Sequence, residues 1–217
     1  MRRKRMARFE QMVRAGPSPV RIIDIGGTVS FWELMGWAGR EDIRVHIVNL
    51  EGQGNAYPNM TVAVGDACDL KDVPDQSFDI AFSNSVIEHV GTMAEKRRMA
   101  DEVRRVARSY WVQTPNYWFP IEPHFLFPGW QWLPEGVRVG ILRRRNVGWN
   151  ARTPEYEKAL QVVRHAQLLS RRDMRALFPE ARLVPERFLG LVKSWTAVGE
   201  SPLAANMNGR AAVRQAS

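Results

Sequence analysis

Four short runs of this 217-residue chain carry side chains able to bind a ligand or move a proton. Glu122-Pro-His124 sets a carboxylate two positions from an imidazole. His124 is the better general-base candidate, because an unperturbed imidazole titrates near neutrality. Glu88-His89 repeats the pairing with no spacer. Val20 to Thr28 is an apolar run that closes on Asp24 and breaks into Gly26-Gly27. Strand, glycine turn and helix in that order allow a backbone to approach a nucleotide-like ligand closely. Gly65-Asp66-Ala67 ends a further apolar run in the same manner.

Alternating elements must position these groups. Strands are expected over residues 22–25, 43–49, 60–64, 78–83, 109–113, 182–188 and 191–198, from short apolar runs bounded by turn residues. A helix over 31–39 is expected to open on Ser30 and Glu33, spaced as a capping box. Thr92 and Glu95 repeat that spacing ahead of an apolar face of Met99, Val103 and Val106, and Ser170 caps a short helix that stops at Pro179. Strands alternating with helices imply an α/β fold with a doubly wound, mainly parallel seven-stranded sheet. Only Leu189 and Gly190 separate the last two strands, so that pair is an antiparallel hairpin, and Pro185 places the first of the two at a sheet edge.

Charge divides the chain into a neutral body and basic ends. The formal net charge is +8, but residues 1–15 hold six Arg and Lys against one Glu, and residues 201–217 add Arg210 and Arg214 with no acid. The boundaries expected are a basic helix or tail over 1–19, a main domain over 20–200 with an insertion at 114–160, and a disordered tail over 201–217. The basic N-terminus reads either as a solvated helix or as a contact for an anionic membrane surface or nucleic acid. No apolar run approaches the roughly 20 residues of a membrane span, and no continuous apolar segment follows Met-Arg-Arg-Lys-Arg. Cys68 is the single cysteine, which excludes an internal disulfide and suits a reducing cytoplasm.

Five pieces in order carry a resemblance: Ile-Ile-Asp24-Ile-Gly26-Gly27, Val48-Asn49-Leu50, Gly65-Asp66-Ala67, Ser77-Phe78-Asp79-Ile80 and Ile87-Glu88-His89-Val90. With the closing hairpin, the chain resembles the class I S-adenosylmethionine-dependent methyltransferases over roughly residues 20–199. The resemblance implies a Rossmann-like methyltransferase fold and S-adenosylmethionine as cofactor. It implies that the donor lies against Asp24, Gly26, Gly27, Asn49, Leu50, Asp66, Ala67, Ser83, Asn84 and His89. Asn49 stands where the family usually has a carboxylate for the ribose hydroxyls, and Glu51 is a substitute two residues on. Some similar quinone-biosynthesis O-methyltransferases hold a divalent cation with Glu-x-x-Glu-His at the position of Ser85 to His89. Ser85 replaces the first carboxylate here, and one Glu with one His is too few for a hard cation, so no metal is expected.

Residues 114–160 are dense in Pro and aromatics, and their Pro-Asn…Phe-Pro-Ile-Glu-Pro-His pattern resembles one bacterial subgroup of these enzymes. A connection this long suggests the acceptor side, with aromatic walls and with Glu122 and His124 orienting or deprotonating a hydroxyl. The expected activity is methyl transfer, chiefly to oxygen, on a small-molecule or lipid-linked acceptor, with no nucleic-acid partner. Trp118, Trp130 and Trp132 with Arg138, Arg143, Arg144 and Arg145 read either as a membrane-interface patch, as an anion site for the acceptor, or as a solvated face. Two rival readings stand beside this one, a non-catalytic scaffold of the same fold and a nicotinamide-dependent dehydrogenase.

Overall fold

The computed structural model describes residues 2–54 and 57–201, so the expected tail beyond Ser201 lies outside the described residues. Helix α1 (Arg2–Arg14) presents Met6, Phe9 and Val13 on one stripe, and all three are buried. Phe9 packs among the rings of Trp32, Trp37, Phe82 and Trp111 at centroid distances of 4.7 to 6.4 Å. The basic N-terminal segment therefore packs into the main core, with Arg8 and Arg14 exposed and Arg5 paired with Glu186 at 2.8 Å, and does not stand apart from the residues that follow it.

Strand β1 (Val20–Ile25) leads through the glycine turn to α2 (Val29–Met35). Thr28 caps that helix, its hydroxyl accepting from the Phe31 amide at 3.3 Å, and Gly36 ends it in a left-handed conformation. The Ser30–Glu33 capping box expected there does not form, because Thr28 supplies the oxygen two residues earlier and Ser30 falls inside the first turn. Strands β2 (Ile43–Asn49), β3 (Met60–Val64) and β4 (Phe78–Asn84) follow. Helix α3 (Met93–Val106) opens on the Thr92–Glu95 capping box and buries Met99, Val103 and Val106 before β5 (Ala107–Pro115). Helix α6 (Arg171–Leu177), capped by Ser170, precedes the hairpin of β8 (Arg182–Phe188) and β9 (Leu191–Glu200).

The seven strands lie in the order β3-β2-β1-β4-β5-β9-β8. The first five are parallel, β9 runs antiparallel to β5, and β8 closes the edge with Pro185 in it. One face is covered by α1 and α2, the other by α3 and α6. Strand order reverses between β1 and β4, so a crevice opens at the carboxyl ends of these strands. Register brings the ends together: Ile25 lies opposite Val48, Asn49 opposite Val64, Asn84 opposite Gln113 and Pro115 opposite Ser194.

The 114–160 connection forms a small core of its own. Strands β6 (Ile121–Glu122) and β7 (Phe127–Pro128) make a two-residue ladder, and α4 (Glu135–Leu142) packs on α5 (Tyr156–Arg164). Phe125, Trp130, Val139, Leu142, Val147, Ala159 and Val163 are its buried members. Trp130 is 1% exposed and stacks on Phe125 at 4.4 Å, so it belongs to this core and not to a surface patch with Trp118 and Trp132.

Candidate active site at the carboxyl edge of the sheet

The glycine turn is shaped by a buried acid beneath it. Asp24 is 1% exposed; its Oδ2 accepts from the Trp32 indole at 2.7 Å, and its Oδ1 has no partner among the described residues. Burial raises its pKa from 3.8 to about 7, against the opposing pull of the Trp32 hydrogen bond. A Cβ on Gly27 would lie 1.7 Å from Asp24 Oδ2, so that glycine exists to make room for the carboxylate. Gly26 has φ +79°, and a Cβ there would meet Val86 Cγ1 at 2.4 Å.

Above this turn lies a cleft of about 400 Å³ whose walls include Gly26, Asn49, Leu50, Asp66, Ala67 and His89. These are the expected ligand residues that the fold brings to one space. Asp24 and Gly27 lie under the turn and do not line it. Ser83 is fully buried and donates to the Ile25 carbonyl at 3.0 Å, stitching β4 to β1. Asn84 has a buried Oδ1 without a partner among the described residues, but it too is absent from the wall.

Asn49 is committed to the backbone. Its amide donates to the Gly27 carbonyl at 2.9 Å and accepts from the Leu50 amide at 2.8 Å. Gln53, which sequence reasoning passed over, donates to the same Gly27 carbonyl at 3.2 Å and accepts from the Val29 amide at 3.2 Å. Both side chains clamp the turn. Asp66 Oδ1 accepts from the Cys68 amide at 2.8 Å, which fixes its carboxylate at the rim of the cleft. Ser85, just after β4, takes a left-handed conformation, φ 57°, costly for a residue with a side chain, and its hydroxyl donates to Gln113 at 3.1 Å.

Ser85 also borders a second cleft, about 360 Å³, walled by Asn116, Phe119, Ile121, Pro123, Lys193 and Ser194 among others. The larger hollow of about 1270 Å³ lies between α1 and the β8–β9 hairpin near Asp79, Arg108 and Glu200, at the opposite ends of the parallel strands. Its size does not make it the site, because open α/β sheets take ligands at the carboxyl ends.

Titratable groups from three segments gather beside the first cleft. His124 Nδ1 donates to Glu122 Oε1 at 2.6 Å, and Glu122, 2% exposed, accepts the Phe125 amide on its other oxygen at 2.6 Å. The His89 ring lies 4.8 Å from that of His124 and 4.7 Å from that of His165. His89 Nδ1 faces the His165 carbonyl at 3.2 Å; a carbonyl only accepts, so Nδ1 carries the proton and Nε2 is left as an acceptor. Glu88 is 1% exposed, with Oε2 accepting from Thr114 at 2.9 Å and Oε1 without a partner among the described residues.

Burial raises the Glu88 pKa to about 7. Burial, helped by the neighbouring imidazoles, lowers that of His89 to about 4. For His124 burial pulls downward, yet the hydrogen bond and charge of Glu122, with Glu88 behind, prevail and the net shift is upward. The loop carrying His124 is held by the turn at 147–150. Asn150 donates to the His124 carbonyl at 3.0 Å, and Gly148, φ +56°, lies so close that a Cβ would be 2.3 Å from the Phe125 carbonyl carbon and oxygen.

The arginines singled out in the connection are mostly occupied locally. Arg143 and Arg145 lie over the rings of Tyr156 and Phe127, and Arg144 donates to the Gly140 carbonyl at 3.4 Å. Arg138 is drawn inward beside Glu122 and Tyr117, in a hollow of about 310 Å³.

Residues 42–110 match the methyltransferase-domain family. Two curated proteins of Mycobacterium tuberculosis, both described only as uncharacterized, are 42% identical over 82 residues, 37% of this chain and 27% of theirs. The chain thus spans about a quarter of the length of those relatives. Among solved structures, it superposes on a sarcosine dimethylglycine methyltransferase described from Galdieria sulphuraria with TM-score 0.51 and 15% identity, covering 85% of this chain and 60% of that one. The N-terminal domain of EvdMO1, crystallised in the presence of S-adenosylhomocysteine and D-fucose, gives TM-score 0.54 at 15% identity over 92% of this chain and 82% of that domain. A methyltransferase from Methanosarcina mazei described as S-adenosylmethionine-dependent gives 0.50 at 14%, over 84% and 92%. These likenesses carry the fold. The antiparallel β9 between β5 and β8 separates it from the 3-2-1-4-5-6 order of the dinucleotide-binding fold, and with it from the nicotinamide-dependent dehydrogenase reading.

Proposed function

We propose that this chain is a class I S-adenosylmethionine-dependent methyltransferase that transfers a methyl group to a hydroxyl oxygen of a small-molecule or lipid-linked acceptor. The observation that carries the reading is the meeting of two clefts at Ser85, with the Glu122–His124 pair one imidazole away from the first. The residues fit the donor on the structure's own terms. The first cleft has room for an adenosyl group, its floor is glycine, and Asp24 holds an unpartnered buried oxygen below it. When bound, S-adenosylmethionine supplies an electrophilic methyl group on a sulfonium centre.

The chain's residues then divide the work. Asp66 would accept from the adenine amino group and the Ala67 amide would donate to the ring, with exposed Leu50 against one face of the base. Asn49 holds the turn rather than the ribose, which leaves Glu51, exposed two residues on, as the carboxylate for the ribose hydroxyls. Asp24 offers negative charge under the turn to the donor's ammonium. Methyl transfer needs in-line placement of the nucleophile, and a base where the nucleophile must lose a proton. His124 is that base: Glu122 fixes its tautomer and leaves Nε2 as the acceptor. Phe119, Ile121 and Pro123 supply an apolar wall for the acceptor, with Lys193 and Ser194 as its polar end.

Calorimetry with S-adenosylhomocysteine and a methyl-release assay over a panel of hydroxylated acceptors test this. Binding should occur, and His124→Gln should spare it while slowing transfer by roughly 10² to 10⁴. No binding would remove the donor assignment. Binding with no product across the panel would make the chain the non-catalytic scaffold instead.

A further inference from the structure

The expectation of no metal counted ligands along one segment, Glu88-His89. The fold adds His124 from a loop 35 residues downstream. One oxygen or nitrogen from each of Glu88, His89 and His124 lies within 4.8 Å of the other two. We propose that these three residues bind a divalent transition-metal ion of the class that imidazole prefers, with Zn²⁺ and Co²⁺ as its probes.

Three features of the cluster point to a cation. The first is Glu88 Oε1, a carboxylate oxygen enclosed in protein with no hydrogen-bond donor among the described residues. A buried carboxylate oxygen left unpartnered carries a desolvation cost that a bound cation offsets. The second is the outer set of hydrogen bonds. His124 donates through Nδ1 to Glu122, His89 donates through Nδ1 to the His165 carbonyl, and the second Glu88 oxygen is held by Thr114. Each prospective ligand is thus oriented by a partner on its other atom, the arrangement that fixes tautomer and basicity in metal sites. The third is the surrounding charge. Lys96, on the helix that follows, turns its ammonium to the Val90 and Gly91 carbonyls rather than to Glu88.

The ligand set selects the metal. Ca²⁺ and Mg²⁺ take oxygen ligands, and one carboxylate with two imidazoles serves them poorly. Two imidazoles and a carboxylate suit Zn²⁺ and its first-row neighbours, and three protein ligands leave coordination positions open. His89 lines the donor cleft, so an ion held by these residues would lie at the wall of that cleft. A role in transfer rests on the methyltransferase reading and replaces its free base: with His124 Nε2 on the ion, an acceptor hydroxyl bound there would be polarised and would lose its proton more readily, to solvent rather than to His124. Metal binding itself does not depend on that reading.

The test uses the full-length chain without a polyhistidine tag, freed of metal with a chelator. Co²⁺ titration should give visible absorption bands that saturate at one ion per chain, and Zn²⁺ should displace them. Glu88→Gln, which keeps the side chain's shape, and His124→Gln should each weaken Co²⁺ binding tenfold or more, while His46→Ala, remote from the cluster, should not. Circular dichroism melts of each variant establish that it is folded. No saturable Co²⁺ binding by the parent chain overturns the proposal, as does binding that neither folded variant weakens. S-adenosylhomocysteine calorimetry on the metal-free chain separates the two readings. Donor binding without Co²⁺ binding leaves the methyltransferase and removes the metal; Co²⁺ binding without donor binding does the reverse.

Discussion

Replacing Asp24 with Asn should stabilise the folded chain at pH 8 and weaken donor binding in the same variant. Asp24 is buried, its Oδ1 has no partner among the described residues, and burial lifts its pKa from 3.8 to about 7. Between those values the folded chain holds the proton more firmly than the unfolded chain does. The stability it contributes is therefore fully present below pH 3.8, falls as pH rises toward 7 and is gone above it. At about 1.4 kcal/mol per pH unit, ionised Asp24 costs the fold up to about 4 kcal/mol at pH 8. Asparagine removes the charge and keeps an oxygen for the Trp32 indole, at a loss of about 1–2 kcal/mol for a neutral in place of a charge-assisted hydrogen bond. A net gain of about 2–3 kcal/mol remains at pH 8, and little or none at pH 4. Urea unfolding of both proteins at the two pH values reads this directly. Calorimetry at pH 8 should show S-adenosylhomocysteine affinity reduced tenfold or more. A variant that is destabilised equally at pH 4 and pH 8 would mean that the carboxylate has a cationic partner and that the burial argument is wrong. Undiminished donor affinity would remove Asp24 from the site.

Gly148→Ala should perturb the His124 loop from the far side. Its Cβ would fall 2.3 Å from the Phe125 carbonyl at a φ of +56°, so a loss of about 1–3 kcal/mol in urea unfolding is expected, with slower transfer and unchanged S-adenosylhomocysteine affinity. Asp66→Ala should weaken S-adenosylhomocysteine about tenfold while preserving the melting temperature to within a few degrees, because its carboxylate lies at the rim of the cleft and not in the core. Trp118 and Trp132 are 65% and 45% exposed and stand 6.4 Å apart, and Phe119, next to Trp118, meets Phe188 of the β8–β9 hairpin at a ring distance of 6.4 Å. Sedimentation with anionic vesicles should detect the chain, and the paired change Trp118→Ser with Trp132→Ser should lower partitioning about tenfold; unchanged sedimentation would leave those rings to the acceptor or to solvent.

Local chemistry was legible in the sequence and distant convergence was not. The Thr92–Glu95 box and the Ser170 cap are written within four residues, and the two-residue Leu189-Gly190 link forces a hairpin whatever surrounds it. The five short pieces could be ordered along the sheet because alternating strands and helices leave few topologies. Ser30 misled because two hydroxyls compete for one cap and only the turn's path favours Thr28. Trp130 misled because an irregular loop has no period, so nothing in the spacing tells a buried ring from Trp118 or Trp132. His165 carried no signal at all: it lies 76 residues from His89 and joins the cluster through a backbone carbonyl.

The glycines of the turn give a different lesson about what such a motif reports. Gly26 and Gly27 are required by Val86 and Asp24, residues of the chain itself. A glycine turn above a buried acid is therefore a device for placing charge without a solvent path, and in the proposed function the donor takes the space above it. Apolar packing alone would favour a neutral residue at position 24, since the ionised form is costly there. A cation over the turn reverses that balance, because it lowers the acid's pKa and recovers the desolvation already spent. Donor binding below pH 7 should then release a proton from Asp24, approaching one per site near pH 6 and vanishing by pH 8. Calorimetry in two buffers of different ionisation enthalpy measures that number. A release of zero at pH 6 would mean that Asp24 is ionised before the donor arrives.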